Sequence, residues 1–172
     1  MTADLGELTP WTRSKITALI NFASKNGIDA RVVSTRRSCA EQDAIYESGA
    51  GVATQAKGCI SWHVWGRAAD LELSGPASDY ALLGDKWKEW GGVWGGDFSF
   101  GDIGHFEWHP GVKIEEVCPN EGACPDPNAP WPEDRPLFLR PAVQLAGGVV
   151  LALSGIYLAK RLSGGYALPV PW

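Results

Sequence analysis

Residues 61–71 read Ser-Trp-His-Val-Trp-Gly-Arg-Ala-Ala-Asp-Leu, and this stretch decides how the rest of the chain is interpreted. It contains a histidine, His63, and further along a carboxylate, Asp70. Residues 68–73 (AADLEL) predict a β-strand, which would hold Asp70 rigidly. Gly66 lets the chain turn between the two side chains. The stretch therefore predicts two candidate metal ligands, which a turn and a strand hold in place.

A second segment, residues 95–108 (GGDFSFGDIGHFEW), is also rich in glycine and aromatic residues. The chain has three histidines, and all of them lie in or next to these two segments. A catalytic zinc site needs three protein ligands of N or O type and one open position for water. His63 and Asp70 supply two such ligands, and His105 supplies the third. The spacing thus predicts a metal centre that joins the two segments.

Two carboxylates lie close to His105 in the sequence. Asp102 precedes it by three residues and is placed to accept a proton from water at the open metal position. Glu107 follows it by two residues, so on a strand the two side chains would share a face and Glu107 would orient the ligand. His109 is a rival third ligand, although on a strand it would lie about 13 Å along the chain from His105. Cys59 is a weaker rival.

The flanking sequence predicts a small α+β domain that ends near residue 117. Thr9-Pro10 predicts a capped helix start, and apolar residues at helical spacing follow it. Residues 38–41 (SCAE) fit the capping box of a second helix. The predicted elements are a helix from residue 10 to about 26, a strand at 28–34, a helix from 38 to near 49, a loop at 50–60, the strand at 68–73, a helix at 78–90 and short strand-like pieces within 93–108.

The C-terminal third has a different composition. Residues 118–136 contain six prolines, which is typical of a stiff linker. Residues 142–159 carry no charge and are flanked by Arg140 and Lys160. A helix of this length spans about 27 Å, close to the thickness of a bilayer core, so we predict a transmembrane helix rather than a buried soluble helix. The predicted organisation is a domain at 1–117, a linker at 118–136 and a C-terminal segment at 137–172.

Composition excludes some functions and leaves others open. The net charge is -5 and there is no basic run, so we expect no nucleic-acid partner. There are nine tryptophans, which we expect to pack mainly in the core. Four cysteines permit two disulfides. Cys118 with Cys124 is the favoured pair, Cys39 with Cys59 is weaker, and free buried thiols are an equal alternative.

Three blocks of this sequence resemble one family. Residues 61–71 (SWHVWGRAADL) are similar to the S-x-H-x-x-G-x-A-x-D signature of the VanY-like D-alanyl-D-alanine carboxypeptidases and the related L-alanyl-D-glutamate peptidases. Residues 94–108 resemble their W-G-G-D-W…D-x-x-H-F-E block, and residues 34–49 (STRRSCAEQDAIYESG) resemble their G-Y-R-S-x-x-E-Q-x-x-L-Y-x-x-G segment. The blocks occur in the family's order and spacing and cover roughly residues 30–110. Arg36 stands where relatives usually carry Tyr, and Ala50-Gly51 where they often carry Arg-Thr.

The resemblance implies a fold and a role for each matching residue. The fold would be a zinc peptidase domain of the DD-peptidase/hedgehog type. His63, Asp70 and His105 would bind one zinc ion, and Asp102 would be the catalytic base. Arg37 would bind substrate and stabilise the oxyanion, which suits its permanent charge. Ser61 and Gln42 also match motif positions and are candidate neighbours of the ligands or the substrate, although the resemblance leaves the role of Gln42 open.

We therefore expect a zinc peptidase that cuts D-amino-acid-containing bonds of peptidoglycan stem peptides, as a D-Ala-D-Ala carboxypeptidase or an L-Ala-D-Glu endopeptidase. The rival hypotheses are a non-catalytic peptidoglycan-binding module tethered to the membrane and a membrane-tethered scaffold. The N-terminus has no apolar region typical of a secretion signal. We expect either a membrane-anchored enzyme that faces the cell wall or a phage-type lysis enzyme.

Overall fold

A four-stranded antiparallel sheet organises the part of the chain that the computed structural model describes, residues 2–48 and 54–118. These residues all belong to one compact unit that covers residues 1–129. The helices are α1 (Pro10–Lys25), α2 (Cys39–Glu47), α3 (Ala77–Glu89) and the single turn α4 (Ile114–Val117). The strands are β1 (Ala30–Ser34), β2 (Ala68–Leu73), β3 (Val93–Trp94) and β4 (His105–Glu107). The expected α+β class is confirmed.

Both helix starts predicted from capping signals are confirmed. Thr9 caps α1 by accepting from the backbone N–H of Thr12, and Pro10 occupies the first helical position. Ser38 and Glu41 form the reciprocal capping box of α2. The helix then ends at Glu47, two residues before the glycine expected to end it. Local side-chain chemistry is enough to place these two helix starts.

The sheet order β1-β2-β4-β3 places β2 beside β4, although α3 and β3 separate them in the chain. In the ladder between these two strands, Asp70 lies directly opposite His105 and Ala69 directly opposite Phe106. Because side chains alternate between the faces of a strand, Asp70 and His105 share one face, while Ala69 and Phe106 share the other. The register therefore separates a polar face from an apolar one.

The apolar face of the sheet packs against α1 and α3. Phe106 and Trp87 are fully buried at this contact, and their rings meet edge to face at 5.8 Å. Three indole N–H groups bond to backbone carbonyls, those of Trp87 to Glu107, Trp94 to Ile103 and Trp65 to Cys59. The tryptophans expected in the core thus also fasten the two chain segments that carry the histidines.

A disulfide joins Cys39, at the start of α2, to Cys59 in the short 3₁₀ turn Gly58–Ile60. From sequence this pair is the weaker expectation, because the sequence does not show that α2 packs against this turn. Cys118 is also disulfide-bonded. The alternative prediction of free thiols is therefore wrong for Cys39, Cys59 and Cys118. The predicted partner of Cys118, Cys124, lies outside the described residues.

Several predictions concern residues that the structure does not describe. These are the Pro-rich linker at 118–136 beyond Cys118 and the apolar helix at 142–159. Among the described residues, none of the helices has both the length and the apolar character needed to cross a bilayer. The membrane anchor and the domain boundaries remain predictions from sequence.

We expect the disulfide of α2 to stabilise the domain. Replacing Cys39 and Cys59 together by Ala should lower the free energy of unfolding by about 3 kcal/mol, because the bond closes a loop of 20 residues. Urea unfolding of the double variant measures this difference. Substitution is preferable to chemical reduction, because a reductant would also break the disulfide of Cys118. An unchanged midpoint would show that the crosslink does not constrain the unfolded chain.

Candidate metal centre

Three side-chain atoms meet on the polar face of the sheet: Nε2 of His63, Oδ1 of Asp70 and Nδ1 of His105. The two nitrogens lie 3.2 Å apart, Asp70 Oδ1 is 3.2 Å from Nε2 of His63, and it is 2.9 Å from Nδ1 of His105. Two of the three side chains are cross-strand neighbours, and the third comes from the turn before β2. The structure therefore brings together the predicted ligand set.

The turn at residues 61–66 orients His63. Its Nδ1 lies 2.5 Å from the carbonyl oxygen of Thr35, so Nδ1 carries the hydrogen and Nε2 presents its lone pair. Ser61 Oγ accepts from the backbone N–H of His63 at 3.4 Å. Gly66 adopts a φ of 64°, and a Cβ there would lie 3.0 Å from the carbonyl oxygen of Glu7. The turn predicted at Gly66 is confirmed.

Glu107 orients His105 from the other side. The Glu107 Oε1 atom lies 2.9 Å from Nε2 of His105, so this nitrogen donates and Nδ1 faces the other two ligands. Both residues lie in β4 with one residue between them, as the shared face requires. Gly95 packs closely against this strand, because a Cβ there would lie 2.9 Å from that of His105. Glu107 and His105 therefore share one face of β4, and the role of Glu107 in orienting a ligand stays a prediction.

Arg37 holds the second oxygen of Asp70. Its Nη2 donates to Asp70 Oδ2 at 2.6 Å and to Ser34 Oγ at 3.0 Å, and its Nη1 donates to Gln42 Oε1 at 3.2 Å. The side chains of Arg37 and Asp70 are 10% and 20% exposed, so water screens this ion pair only weakly. The pair leaves Oδ1 of Asp70 turned toward the two histidines.

The electrostatics of the cluster favour bound positive charge. Burial lowers the pKa of His63, which keeps its ring neutral. Burial works to raise the pKa of Asp70, but the adjacent His63 and the hydrogen bond from His105 outweigh it and hold the pKa well below its usual range. Burial also works to lower the pKa of His105, yet its bonds to Asp70 and Glu107 raise it to about 10.

These atoms fit a metal ion. In the structure as it stands, Nδ1 of His105 shares a proton with Asp70; once that proton is released, two ring nitrogens and a carboxylate oxygen face one another as acceptors, which is a donor set that can hold a cation. Ligand atoms of a tetrahedral zinc lie about 3.4 Å apart, a few tenths of an ångström more than the separations found here. Contacts to Thr35 and Glu107 supply the outer support typical of histidine ligands.

The cluster lines a cavity of about 580 Å³. Asp102, Arg37, Ser61 and Glu107 line it together with the three candidate ligands. Asp102 is half-buried, and this burial raises the pKa of its carboxyl group. The carboxylate of Asp102 and the guanidinium of Arg37 therefore line the same cavity as the three candidate ligands. Phe98 and Phe100 form an apolar part of the wall.

Gln42 occupies the position whose role the sequence leaves open. It is fully buried in α2 and accepts from Arg37, while its Nε2 donates to Thr54 Oγ1 at 2.9 Å and to the carbonyl of Ala56 at 2.8 Å. Residues 54–56 line the cavity. Gln42 thus fastens one cavity wall and Arg37 to the same helix.

The rival ligand His109 lies outside the metal cluster, because Glu107 and the Val112 carbonyl occupy its two ring nitrogens. The sequence did not indicate Thr35, since any residue type offers the same carbonyl. It also did not indicate Ser34, which an irregularity in the β1–β2 register brings opposite Asp70.

No protein-family profile matches this sequence. Among solved structures, the L-Ala D-Glu endopeptidase ChiX of Serratia marcescens superposes with a TM-score of 0.50 at 20% identity, over 61% of this chain and 83% of that one. The vancomycin-resistance D,D-pentapeptidase VanY, in a complex with Zn(II), gives 0.48 at 17% identity over 63% and 82%. The LD-carboxypeptidase LdcB gives 0.48 at 16% identity over 64% and 63%.

The likeness to ChiX shows that the described domain shares its fold with that endopeptidase. The resemblance to VanY-like peptidases found in the sequence is therefore supported by the fold. The catalytic and binding roles of individual residues remain predictions.

We predict that Gln42 stabilises the cavity wall. Gln42→Ala should lower the free energy of unfolding by about 1–3 kcal/mol, because it leaves buried partners without their hydrogen bonds. Urea unfolding measures the change. Gln55→Ala is the matched control, since Gln55 lines the same wall with an exposed side chain. It should change stability by no more than about 0.5 kcal/mol. Equal effects of both substitutions would contradict the assignment.

Proposed function

We propose that this protein is a zinc-dependent peptidase that hydrolyses bonds next to D-amino acids in the stem peptides of bacterial peptidoglycan. The observation that carries the proposal is the convergence of His63, Asp70 and His105 in the lining of a cavity that Asp102 also lines. The solved structures of similar fold are named as peptidases, and LdcB is named for peptidoglycan recognition.

The chemistry divides between the ion and the chain. A bound zinc ion would polarise the scissile carbonyl and lower the pKa of a water to about 7. Asp102 accepts the proton of the attacking water and returns it to the leaving amine, a role that requires a carboxylate in the same cavity. Its raised pKa suits the second step, in which it acts as an acid.

Arg37 serves the site in two ways. Its contact with Asp70 Oδ2 orients that ligand, and its place in the cavity wall lets the guanidinium stabilise negative charge on the substrate. The rings of Phe98 and Phe100 make another part of the cavity wall apolar. An apolar wall suits the aliphatic side chains of a stem peptide.

We predict that Asp102→Ala abolishes hydrolysis but leaves zinc binding intact. Mass spectrometry of purified peptidoglycan incubated with the full-length protein should detect new fragments that a chelator abolishes. Turnover should fall by about 10²- to 10⁴-fold in Asp102→Ala, because the general base is lost. Asp97→Ala is the matched control: this carboxylate belongs to the same segment but pairs with Lys88. It should retain full activity.

The masses of the fragments would identify the bond. Loss of a single terminal residue would indicate a carboxypeptidase, and cleavage after L-Ala an endopeptidase. Retained turnover in Asp102→Ala would refute its assignment as the base.

The second candidate function is a peptidoglycan-binding module without catalysis. Ala50-Gly51 motivate it, because they stand where the resemblance leads us to expect Arg-Thr, in a loop that borders the substrate cleft of that family. A zinc-loaded protein that sediments with insoluble peptidoglycan but releases no fragments would favour the module over the enzyme.

A further inference from the structure

His109 lies two residues after β4, at the outer side of the metal centre. Its Nε2 is 3.0 Å from Glu107 Oε2, and its Nδ1 is 2.9 Å from the carbonyl oxygen of Val112. The ring stacks on Trp62, with centroids 4.1 Å apart and planes inclined by 10°. Three independent contacts therefore fix an imidazole that binds no metal in this arrangement.

Glu107 connects this ring to the metal centre. One oxygen accepts from His105 Nε2 at 2.9 Å, and the other contacts His109 Nε2 at 3.0 Å. The Glu107 side chain is 13% exposed, so water offers little substitute for either partner. The carboxylate thus bridges the candidate ligand His105 and His109, and each of its two oxygens is held by a contact to one of these histidines.

We propose that His109 is a positioning residue of the metal centre. By donating to Glu107 Oε2, it holds the carboxylate in the orientation in which Oε1 accepts from His105. That bond keeps the hydrogen of His105 on Nε2 and the lone pair of Nδ1 on the metal. The inference rests on the proposed metal-dependent function and extends it to a residue outside the ligand set.

The two histidine ligands are supported in different ways. The acceptor for His63 is the backbone carbonyl of Thr35, which no side-chain substitution removes. The acceptor for His105 is a side chain whose orientation depends on His109. Trp62 directly precedes His63. Its stack with His109 therefore connects the chain that follows His105 to the turn that carries His63.

Two substitutions of similar size separate the contacts of His109. In His109→Gln the amide nitrogen can reach the place of Nε2 and retain the bond to Glu107. In His109→Asn the amide nitrogen takes the place of Nδ1 and retains only the local bond to Val112. Both lose the stack on Trp62, so a difference between them reports on the bond to Glu107.

The experiment measures zinc affinity of the full-length variants by competition with a chromophoric chelator, and the visible spectrum of the Co²⁺-loaded proteins. His109→Asn should bind zinc about 10-fold more weakly than the wild type and shift the Co²⁺ bands. His109→Gln should stay close to the wild type in both. In the Glu107→Gln background, His109→Asn should cause no further loss, because its effect passes through Glu107.

Thermal unfolding of the metal-free proteins shows whether a variant loses zinc affinity because its fold is destabilised rather than because Glu107 is reoriented. Equal zinc affinities for the Asn and Gln variants, or the same loss in the Glu107→Gln background, would overturn the inference while the wild type still binds zinc. Failure of the wild type to bind zinc would overturn the proposed metal centre as well. Zinc binding with the expected pattern but no peptidoglycan fragments would support the role of His109 and refute only the peptidase activity.

Discussion

The pairing of β2 with β4 is the constraint on which the candidate metal centre depends. It sets Asp70 opposite His105, so that a carboxylate and an imidazole face each other across neighbouring strands. A shift of one residue would turn one of the two side chains toward the apolar face, because side chains alternate along a strand. The buried contact of Phe106 with Trp87 opposes such a shift, since Phe106 would then leave the core. Core packing and ligand geometry therefore depend on the same register.

The cluster is costly to assemble without outer support. The side chains of three titratable residues converge here and are largely buried, so each is destabilised if its polar atoms lose their hydrogen-bonding partners. Thr35 and Glu107 set the hydrogen of each histidine, and Arg37 holds the far oxygen of Asp70. These contacts leave Nε2 of His63, Oδ1 of Asp70 and Nδ1 of His105 facing one another, which is the arrangement of a candidate cation site.

Elements with local signals were predictable. The helix starts at Pro10 and Cys39 follow from capping side chains, and the bounds of β2 agree with the predicted strand. The candidate ligands were predictable because histidines are few and lie in glycine-rich segments that resemble one family. What failed was the weighting of the cysteines, since Cys39 and Cys59 meet only through the packing of α2 on the turn that follows it.

The sequence alone determined which residues could bind a metal ion and where two helices begin, because residue type and near-neighbour spacing carry that information. The tertiary structure decided what each of the two neighbouring histidines contacts, although the sequence already favoured His105 over His109 as the third ligand. His105 and His109 are chemically equal, but β4 aims one at Asp70 and the chain beyond it aims the other at Glu107. It also decided the support of His63 by a backbone carbonyl and of Arg37 by Gln42. Such contacts join residues far apart in the chain, and their geometry exists only once the sheet and helices have packed.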